Sequence, residues 1–294
     1  MTHVLGDRRA IFMLLAPALT VYSLIILVPV IWSFGYTLFE GNAIIGFDYV
    51  GVQNFQLLFT DAHVREALSF TVRFAIVLTI VQVLLGYGLA LLYVFVLKKA
   101  SNLVRTLAFF PVVLPTVAVG LLFQQLFESA PRTGPVNGLL NVFGIESVDW
   151  FGSSTTAFWV LILMESWRSM GFYAVLLYAG LVDIPDDLLE AARLDGASGL
   201  RLVRSVVLPL SLPVLLSAVI FSINGTLKIF DSVLALTNGG PGSTTTPLTL
   251  YMFQTSFSYG QYGYGSSIAL LLTVLCLVVT LFIFRSARRD LTKA

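Results

Sequence analysis

Charged side chains are scarce in this chain: they make up 11% of its 294 residues, whereas 57% are hydrophobic. A soluble globular domain carries roughly 25% charged residues, so this composition excludes most soluble folds. The formal net charge is only +1, which excludes a global basic field of the kind that holds nucleic acid through counterion release. We therefore predict a protein of the lipid bilayer that does not bind nucleic acid.

Cysteine and histidine are almost absent as well. Cys276, the single cysteine, lies in an apolar run, so neither a disulfide framework nor a cysteine metal cluster can form. His3 and His63 stand in separate polar segments without the spacing of a zinc site. No Gly-Lys dipeptide occurs, which excludes a P-loop, and two peripheral histidines cannot complete a hydrolytic triad. We expect no metal, no cofactor and no catalytic residue in this chain, and hence no enzyme activity of its own.

Long apolar runs are what the sequence has in abundance. A helix needs roughly 20 mostly apolar residues to cross a hydrocarbon core about 30 Å thick, and six runs meet that requirement. They cover residues 11–34, 69–97, 103–127, 157–181, 206–236 and 266–284. We therefore predict an all-α polytopic membrane protein in which six transmembrane helices form one domain over residues 1–294.

The basic residues are unevenly divided among the loops between these runs. If the N-terminus is inside the cell, the inside segments carry twelve lysines and arginines, and the outside loops carry only Arg65 and Arg132. This asymmetry follows the positive-inside rule and predicts that both termini are cytoplasmic. The predicted external loops are 35–68, 128–156 and 237–265, and the largest cytoplasmic loop is 182–205.

The predicted loop 182–205 has the features of a short capped helix. Pro185 suits the first helical position, and Asp186 and Asp187 suit the positive end of the helix dipole. Gly196 can end the helix in a left-handed conformation. The helix carries four carboxylates and one arginine, a balance that suits an anionic membrane surface poorly. A protein partner is therefore favoured, with an interfacial amphipathic helix as the alternative.

A resemblance to a known family rests on this loop. The matching run is Glu190-Ala191-Ala192, two further residues, then Asp195-Gly196-Ala197-Ser198, continuing to Leu208-Pro209-Leu210 and Pro213. It resembles the EAA loop of permeases from binding-protein-dependent ABC importers. The chain also resembles the carbohydrate branch of that family, the maltose-permease type. The matching residues are Trp167, Ala179-Gly180-Leu181, Ile184-Pro185 and Thr237-Asn238-Gly239-Gly240-Pro241.

The resemblance implies a transmembrane subunit of an ATP-driven sugar uptake system with the type I importer permease fold. The EAA loop would form a coupling helix in a cleft of the ATP-binding subunit. The implied ATPase-coupling residues are Glu190, Ala191, Ala192, Asp195, Gly196, Ala197, Leu208 and Pro209. The implied partners are a second homologous permease, two ATP-binding subunits that carry ATP and magnesium, and an external solute-binding protein. The implied location is the cytoplasmic (inner) membrane of a bacterium or archaeon.

Five charged residues fall within the predicted spans, where an unpaired charge costs at least ~2.5 kcal/mol. Glu165 and Arg168 are three residues apart, as are Lys228 and Asp231, so each pair can share one helix face. A structural ion pair is the simpler interpretation of Glu165 and Arg168. Arg73 lies near the outer end of its span and is expected to extend toward the interface.

The outer half of the fifth predicted span is polar. In a continuous helix Asn224, Lys228 and Asp231 lie on one stripe, which should face a water-filled cavity or another helix. A sugar needs convergent hydrogen-bonding groups of this kind. The resemblance points the same way, because the family lines its substrate cavity largely with this span. These three residues are therefore candidates for the substrate path, with packing against the partner permease as the alternative.

An ion-coupled secondary transporter of a small polar solute is the competing hypothesis. Glu165 or Asp231 would then titrate at membrane depth. The absence of a visible inverted repeat argues mildly against this hypothesis, and the EAA loop argues strongly against it. Within the favoured class, a disaccharide, an oligosaccharide, an amino sugar and glycerol phosphate all fit the sequence.

Overall fold

The computed structural model describes residues 8–97, 100–129 and 132–291, and its regular elements are helical apart from one β-hairpin. The first elements are α1 (Arg8–Tyr22), α2 (Val28–Tyr36), β1 (Phe39–Asn42), β2 (Gly46–Tyr49), α3 (Gln53–Thr60), α4 (Ala62–Leu91), α5 (Ser101–Val113) and α6 (Thr116–Leu126). They are followed by α7 (Pro135–Val142), α8 (Ser154–Val182), α9 (Asp186–Leu194), α10 (Gly199–Leu202), α11 (Leu208–Thr226), α12 (Asp231–Leu236), α13 (Leu248–Phe253) and α14 (Tyr262–Leu291).

Within the described residues, five continuous helical segments are long and apolar enough to cross a membrane. They are Ile11–Tyr36, Ala62–Leu97, Ser154–Val182, Gly199–Thr226 and Tyr262–Arg285. A sixth candidate is the pair α5 and α6, which is bent by 96° at the break between the two helices. The structure therefore contains the six predicted apolar spans only if this bent pair is counted as one.

Proline explains the bend in the predicted span 103–127. Leu114 has an extended ψ of 140°, because the ring of a following proline disfavours the helical region for the residue before it. Pro115 also lacks the N–H that a continuous helix requires. Residues 103–127 therefore form two helices, and the prediction of one uninterrupted span is wrong here.

The predicted span 206–236 is also interrupted. Helix α11 ends at Thr226, and the short helix α12 begins only at Asp231. Between them, the carbonyl of Ile229 accepts a hydrogen bond from the Thr249 hydroxyl, which belongs to α13. The prediction of a continuous helix through residue 236 is therefore wrong. The hydrogen bond that competes with the helical one comes from Thr249, in a distant part of the chain.

π-Helical turns extend or interrupt several of the helices. The turns Ser23–Leu27 and Val203–Val207 each end two residues before a proline, Pro29 or Pro209. Since proline cannot donate the usual hydrogen bond to the carbonyl four residues earlier, the preceding turn widens. The π turn Leu92–Leu97 continues α4 to the end of its apolar run.

The chain divides into two compact units. One contains the chain up to Asp61 together with Met252–Leu271, and the other contains Ala62–Tyr251 and the chain from Leu272 onward. In the first unit β1 and β2 pair in antiparallel register. The Asn54 side-chain amide donates hydrogen bonds of 2.9 Å to the carbonyls of Thr37 and Phe39, which ties α3 to the hairpin.

In the second unit α4 and α8 form the central pair, against which α5 and α11 pack. The approach of α5 to α8 requires glycine at position 171, since a Cβ there would lie 2.0 Å from the Ala108 carbonyl oxygen. One apolar cluster includes Phe74, Leu161 and Val233. A second cluster brings the far ends of α4 and α8 together with α9 and α11.

Part of the predicted loop 237–265 is buried. Leu248 and Leu250 are fully inaccessible to solvent. The Leu248 amide donates a 2.9 Å hydrogen bond to the hydroxyl of Thr71 on α4. The segment 245–250 is therefore an integral part of the second unit and not a surface connection.

Candidate functional site: a short anchored helix and a polar cavity

The acidic helix α9 begins at Asp186, so Pro185 stands immediately before the helix and not at its first position as predicted. Asp186 and Asp187 occupy the first turn, where their charges favour the positive end of the helix dipole. The short capped helix that the sequence indicates is thus present, with a start shifted by one residue.

The C-terminal end of α9 is closed by a Schellman arrangement. The Gly196 amide bonds the Arg193 carbonyl at 3.0 Å, and the Ala197 amide bonds the Ala192 carbonyl at 2.9 Å. Gly196 has φ of +82°, a conformation that L side chains rarely adopt. The predicted left-handed glycine at this position is confirmed.

The anchor of α9 consists of apolar side chains on its inward face. Leu189 is buried in the second apolar cluster together with Ile184 and Leu202. Ala192 and Ala197 pack against the same cluster and are partly buried. Ala192 and Ala197, two alanines of the EAA-like motif, therefore help to fix the helix in place. The motif by itself does not distinguish this role from contact with a partner.

The outward face of α9 combines acidic and apolar side chains. Glu190, Ala191 and Asp195 are exposed, and so are Leu188 and Leu194, the latter at 89% of its full accessibility. Exposed leucines on a helix that is already anchored form a surface suited to a partner. The apolar residues of the helix are thus divided between an inward anchor and an outward face.

Leu208 and Pro209 lie at the start of α11, not on α9. They follow the π turn Val203–Val207, which α9 contacts. Both residues are exposed. The π turn Val203–Val207 therefore lies between these two residues of the motif and the acidic helix α9.

A polar cavity of about 230 Å³ lies in the second unit. Its walls come from α4, α8, the start of α6 and the end of α11, together with the segment between α11 and α12 and the start of α12. The polar lining residues are Gln82, Thr116, Glu165, Arg168, Ser169, Tyr173, Ser222, Thr226, Lys228, Asp231 and Ser232. Such a concentration of hydrogen-bonding groups between apolar helices is typical of a site for a polar ligand.

Glu165 and Arg168 form the predicted ion pair at this cavity. The Arg168 Nε lies 3.2 Å from Glu165 Oε1, and Nη2 lies 2.9 Å from Oε2. The buried carboxylate also accepts a hydrogen bond from the Ser232 hydroxyl, which the sequence did not suggest. These bonds compensate the charge of Glu165 and fix α12 to α8.

A hydroxyl and amide cluster that sequence reasoning missed joins α4 to α11. The Ser222 hydroxyl lies 3.0 Å from Thr79 Oγ1 and 2.9 Å from Gln82 Oε1. Thr79 also lies 3.5 Å from the Thr226 hydroxyl. Helical spacing of Thr79 with Gln82, and of Ser222 with Thr226, is the signal that could have indicated two facing polar stripes.

Of the predicted substrate-path residues, Lys228 and Asp231 line the cavity and Asn224 does not. Asn224 instead donates to the Ile220 carbonyl at 3.0 Å and accepts a 3.1 Å hydrogen bond from Thr280 on α14. Because α11 ends at Thr226, the predicted single stripe does not exist. In the part of the chain that the structure describes, no ion pair joins Lys228 to Asp231.

Taken together, the apolar spans, the anchored acidic helix and the polar cavity define a polytopic transport subunit. Residues 82–289 match the family described as the inner membrane component of binding-protein-dependent transport systems. This match spans well over half of the chain, and the chain therefore belongs to that family. Family membership also favours binding-protein-dependent transport over the ion-coupled alternative.

Two relatives match over nearly the whole length of both chains. The sulfoquinovosyl glycerol transport system permease of Agrobacterium fabrum is 34% identical, over 97% of this chain and 92% of the relative. The trehalose/maltose transport system permease of Thermococcus litoralis is 32% identical, over 94% and 93%. The fold resembles a chain in the crystal structure of a bacterial ABC transporter involved in alginate import, with TM-score 0.81, 21% identity and 95% coverage of both chains.

Proposed function

We propose that this chain is the permease subunit of an ATP-driven sugar importer and that α9 is its ATPase-coupling helix. The observation that carries the proposal is the division of α9 into two faces. Leu189 and Ala192 anchor the helix to the second unit, while Glu190 and Ala191 are exposed. A rigid anchor on one face and an available surface on the other are what transmission of movement from a partner requires.

A carbohydrate substrate is supported by two lines of evidence. Relatives matched over most of the chain are named for sulfoquinovosyl glycerol, trehalose and maltose, and starch degradation products. The polar cavity offers both donors and acceptors, as recognition of several hydroxyl groups requires. We propose that Lys228 and Asp231 belong to the substrate path, with Gln82 and Ser222 as additional members.

The family implies the remaining components of the transporter. The chain would form half of the translocation pathway with a second homologous permease. Two ATP-binding subunits would bind ATP and magnesium and hydrolyse ATP, and an external solute-binding protein would deliver the sugar. The distribution of lysine and arginine supports an orientation in which both termini and α9 are cytoplasmic.

The experiment that tests this proposal compares two charge reversals in the assembled transporter in proteoliposomes. Glu190→Lys changes the exposed face of α9, and the matched control Glu146→Lys reverses an exposed carboxylate in the segment before α8. We expect Glu190→Lys to lower ATP-dependent uptake at least tenfold while the protein remains folded, since surface substitutions change stability by about 0.5 kcal/mol or less. Glu146→Lys should transport at the normal rate.

Two readouts separate a coupling defect from a folding defect. The thermal midpoint of the purified protein should be the same in both variants, and either binding of the ATP-binding subunit or substrate-stimulated ATP hydrolysis should fall only in Glu190→Lys. Normal uptake by a folded Glu190→Lys complex would contradict the coupling role of α9.

A further inference from the structure

A second large cavity, separate from the polar one, lies between the starts of α4 and α8. It measures about 800 Å³, and its lining includes Arg65, Ser69, Arg73, Ile76, Val77 and Phe158. We call it the α4–α8 groove. Both helices belong to candidate membrane spans, Ala62–Leu97 and Ser154–Val182. The groove therefore lies between two candidate membrane spans, and the transport mechanism proposed above does not use it.

The groove changes from polar to apolar along the helices. Its lining from α4 begins with Arg65, Glu66, Ser69 and Arg73, with Phe70 as the one apolar residue among them, and continues to Ile76 and Val77. From Arg65 to Val77 the helix rises about 18 Å at 1.5 Å per residue. A charged upper part followed by an apolar lower part matches an amphiphile whose headgroup lies at the membrane surface and whose chains enter the hydrocarbon.

The length of the span indicates the depth of the arginines. The segment Ala62–Leu97 has 36 residues, or about 54 Å of helix, whereas the hydrocarbon core is about 30 Å thick. A stretch without charged residues, from Phe74 to Leu97, begins only after Arg73. Arg65 therefore lies outside the hydrocarbon and Arg73 at its edge, which is the level of lipid phosphates.

The charges of the groove favour an anion. Among the described residues, neither Arg65 nor Arg73 forms an ion pair with a carboxylate, and Arg73 Nε donates only to the Ser69 carbonyl at 3.3 Å. Glu66, the one carboxylate in the described lining, lies 4.0 Å from His63 and accepts a 3.4 Å hydrogen bond from Ser243. Two guanidinium groups facing one carboxylate leave a net positive headgroup region.

We infer that the α4–α8 groove binds an anionic phospholipid, whose phosphate is held by Arg65 and Arg73 and whose acyl chain lies along Ile76, Val77 and Phe158. Arginine suits phosphate because its planar guanidinium can donate two parallel hydrogen bonds. The apolar part of the groove, at Ile76, Val77 and Phe158, would be covered by an acyl chain. A free phosphate ion would leave it uncovered.

Native mass spectrometry of the purified full-length chain tests this inference with two lipids of identical acyl chains, phosphatidylglycerol and phosphatidylcholine. The wild-type protein should bind phosphatidylglycerol preferentially as its first lipid. Arg65→Gln/Arg73→Gln should lower that preference at least tenfold, since each basic residue near a membrane surface contributes roughly fivefold. Arg65→Lys/Arg73→Lys should retain most of the preference because the charge is kept.

The matched control, Arg201→Gln/Arg204→Gln, removes two exposed arginines beyond α9 and should leave the first-lipid preference unchanged. Glu66→Gln should increase the preference, since it removes the carboxylate from the headgroup region. Photoactivatable phosphatidylglycerol should crosslink to peptides that contain residues 69–77 or 154–158.

Three outcomes would overturn the inference. The first is an unchanged preference in a folded Arg65→Gln/Arg73→Gln variant. The second is displacement of the lipid by inorganic phosphate alone, which would indicate an ion site without a role for the acyl chain. The third is a double variant that retains its lipid but loses docking of the external binding protein, because the groove would then be a protein-binding surface.

Discussion

Helix α9 and the segment 227–250 differ in where the information for their structure lies. The closure of α9 depends on Gly196 and on hydrogen bonds within six residues of chain, from Ala192 to Ala197. The segment 227–250 depends on bonds to distant residues. Ser232 bonds Glu165 across 67 positions, and Leu248 bonds Thr71 across 177 positions. Sequence reasoning consequently described α9 well and the other segment poorly.

The difference teaches that hydropathy alone does not distinguish a span from a buried fragment. Val233 and Leu236 are apolar and continue the run of α11, so 206–236 has the composition of one span. In the structure these two side chains belong to the apolar core that also contains Phe74 and Leu161. A helix interrupted within protein, where partners satisfy its backbone, has the same composition as a helix in lipid.

The largest contrast is expected for two arginines. Arg168→Met leaves the buried Glu165 carboxylate without its ion-pair partner, which should destabilise the protein by about 3–5 kcal/mol. Arg193→Met on the exposed part of α9 should cost less than about 0.5 kcal/mol. Thermal unfolding in detergent measures both variants.

A double variant sharpens this comparison. Glu165→Gln combined with Arg168→Met removes both charges and should recover part of the stability lost by Arg168→Met alone. An equally small effect of Arg168→Met and Arg193→Met would show that the ion pair does not support the interrupted segment.

Two leucines provide the next contrast. Leu248 is 0% exposed and Leu194 is 89% exposed. Leu248→Ala should lower the free energy of unfolding by about 2–5 kcal/mol through cavity formation. Leu194→Ala should change it by about 0.5 kcal/mol or less, and any effect should appear in association with the ATP-binding subunit. Protease resistance of the purified variants measures the difference. Equal resistance of Leu248→Ala and Leu194→Ala would contradict the comparison.

Gly196 provides a smaller and more local test of α9. A Cβ at this position meets no atom within 4 Å, so the strain of a substitution comes from φ of +82° alone. Gly196→Val should cost about 1–2 kcal/mol locally and misdirect the chain after α9, whereas Gly196→Asn should be better tolerated. We expect loss of ATP-coupled uptake in the valine variant only. Equal uptake by both variants, at normal membrane abundance, would show that coupling does not depend on the Schellman closure.

The smallest effect is expected at Asn224. Loss of its bond to Thr280 in Asn224→Ala should cost about 0.5–1.5 kcal/mol without impairing transport, and a double-mutant cycle with Thr280→Ala should reveal the coupling. Asp231→Asn, at the cavity, should reduce uptake while leaving assembly intact. Uptake assays that find the reverse order would restore Asn224 as a substrate-path residue.

The sequence predicted those features whose signals are local. Apolar length identified four of the six spans as continuous helices, the spacing of Glu165 and Arg168 identified their ion pair, and Gly196 identified the end of α9. The break at Leu114 and Pro115 could have been expected, because proline disfavours a helical conformation for the residue before it. Thr249 gave no such signal: its bond to Ile229 arises only when the chain has folded. The polar cavity combines several such contacts, so its membership could be predicted only in part.

Crosslinking from the outward face of α9 tests the central claim most directly. A photoactivatable amino acid at Ala191, which is exposed, should crosslink to the ATP-binding subunit in the assembled transporter. The same probe at Ser154, which is exposed at the start of α8, should not; this 29-residue helix is about 42 Å long, and its opposite end precedes α9. A crosslink from Ala191 alone would support α9 as the coupling helix. Its absence in an assembled complex that transports, or an equal crosslink from Ser154, would contradict that role.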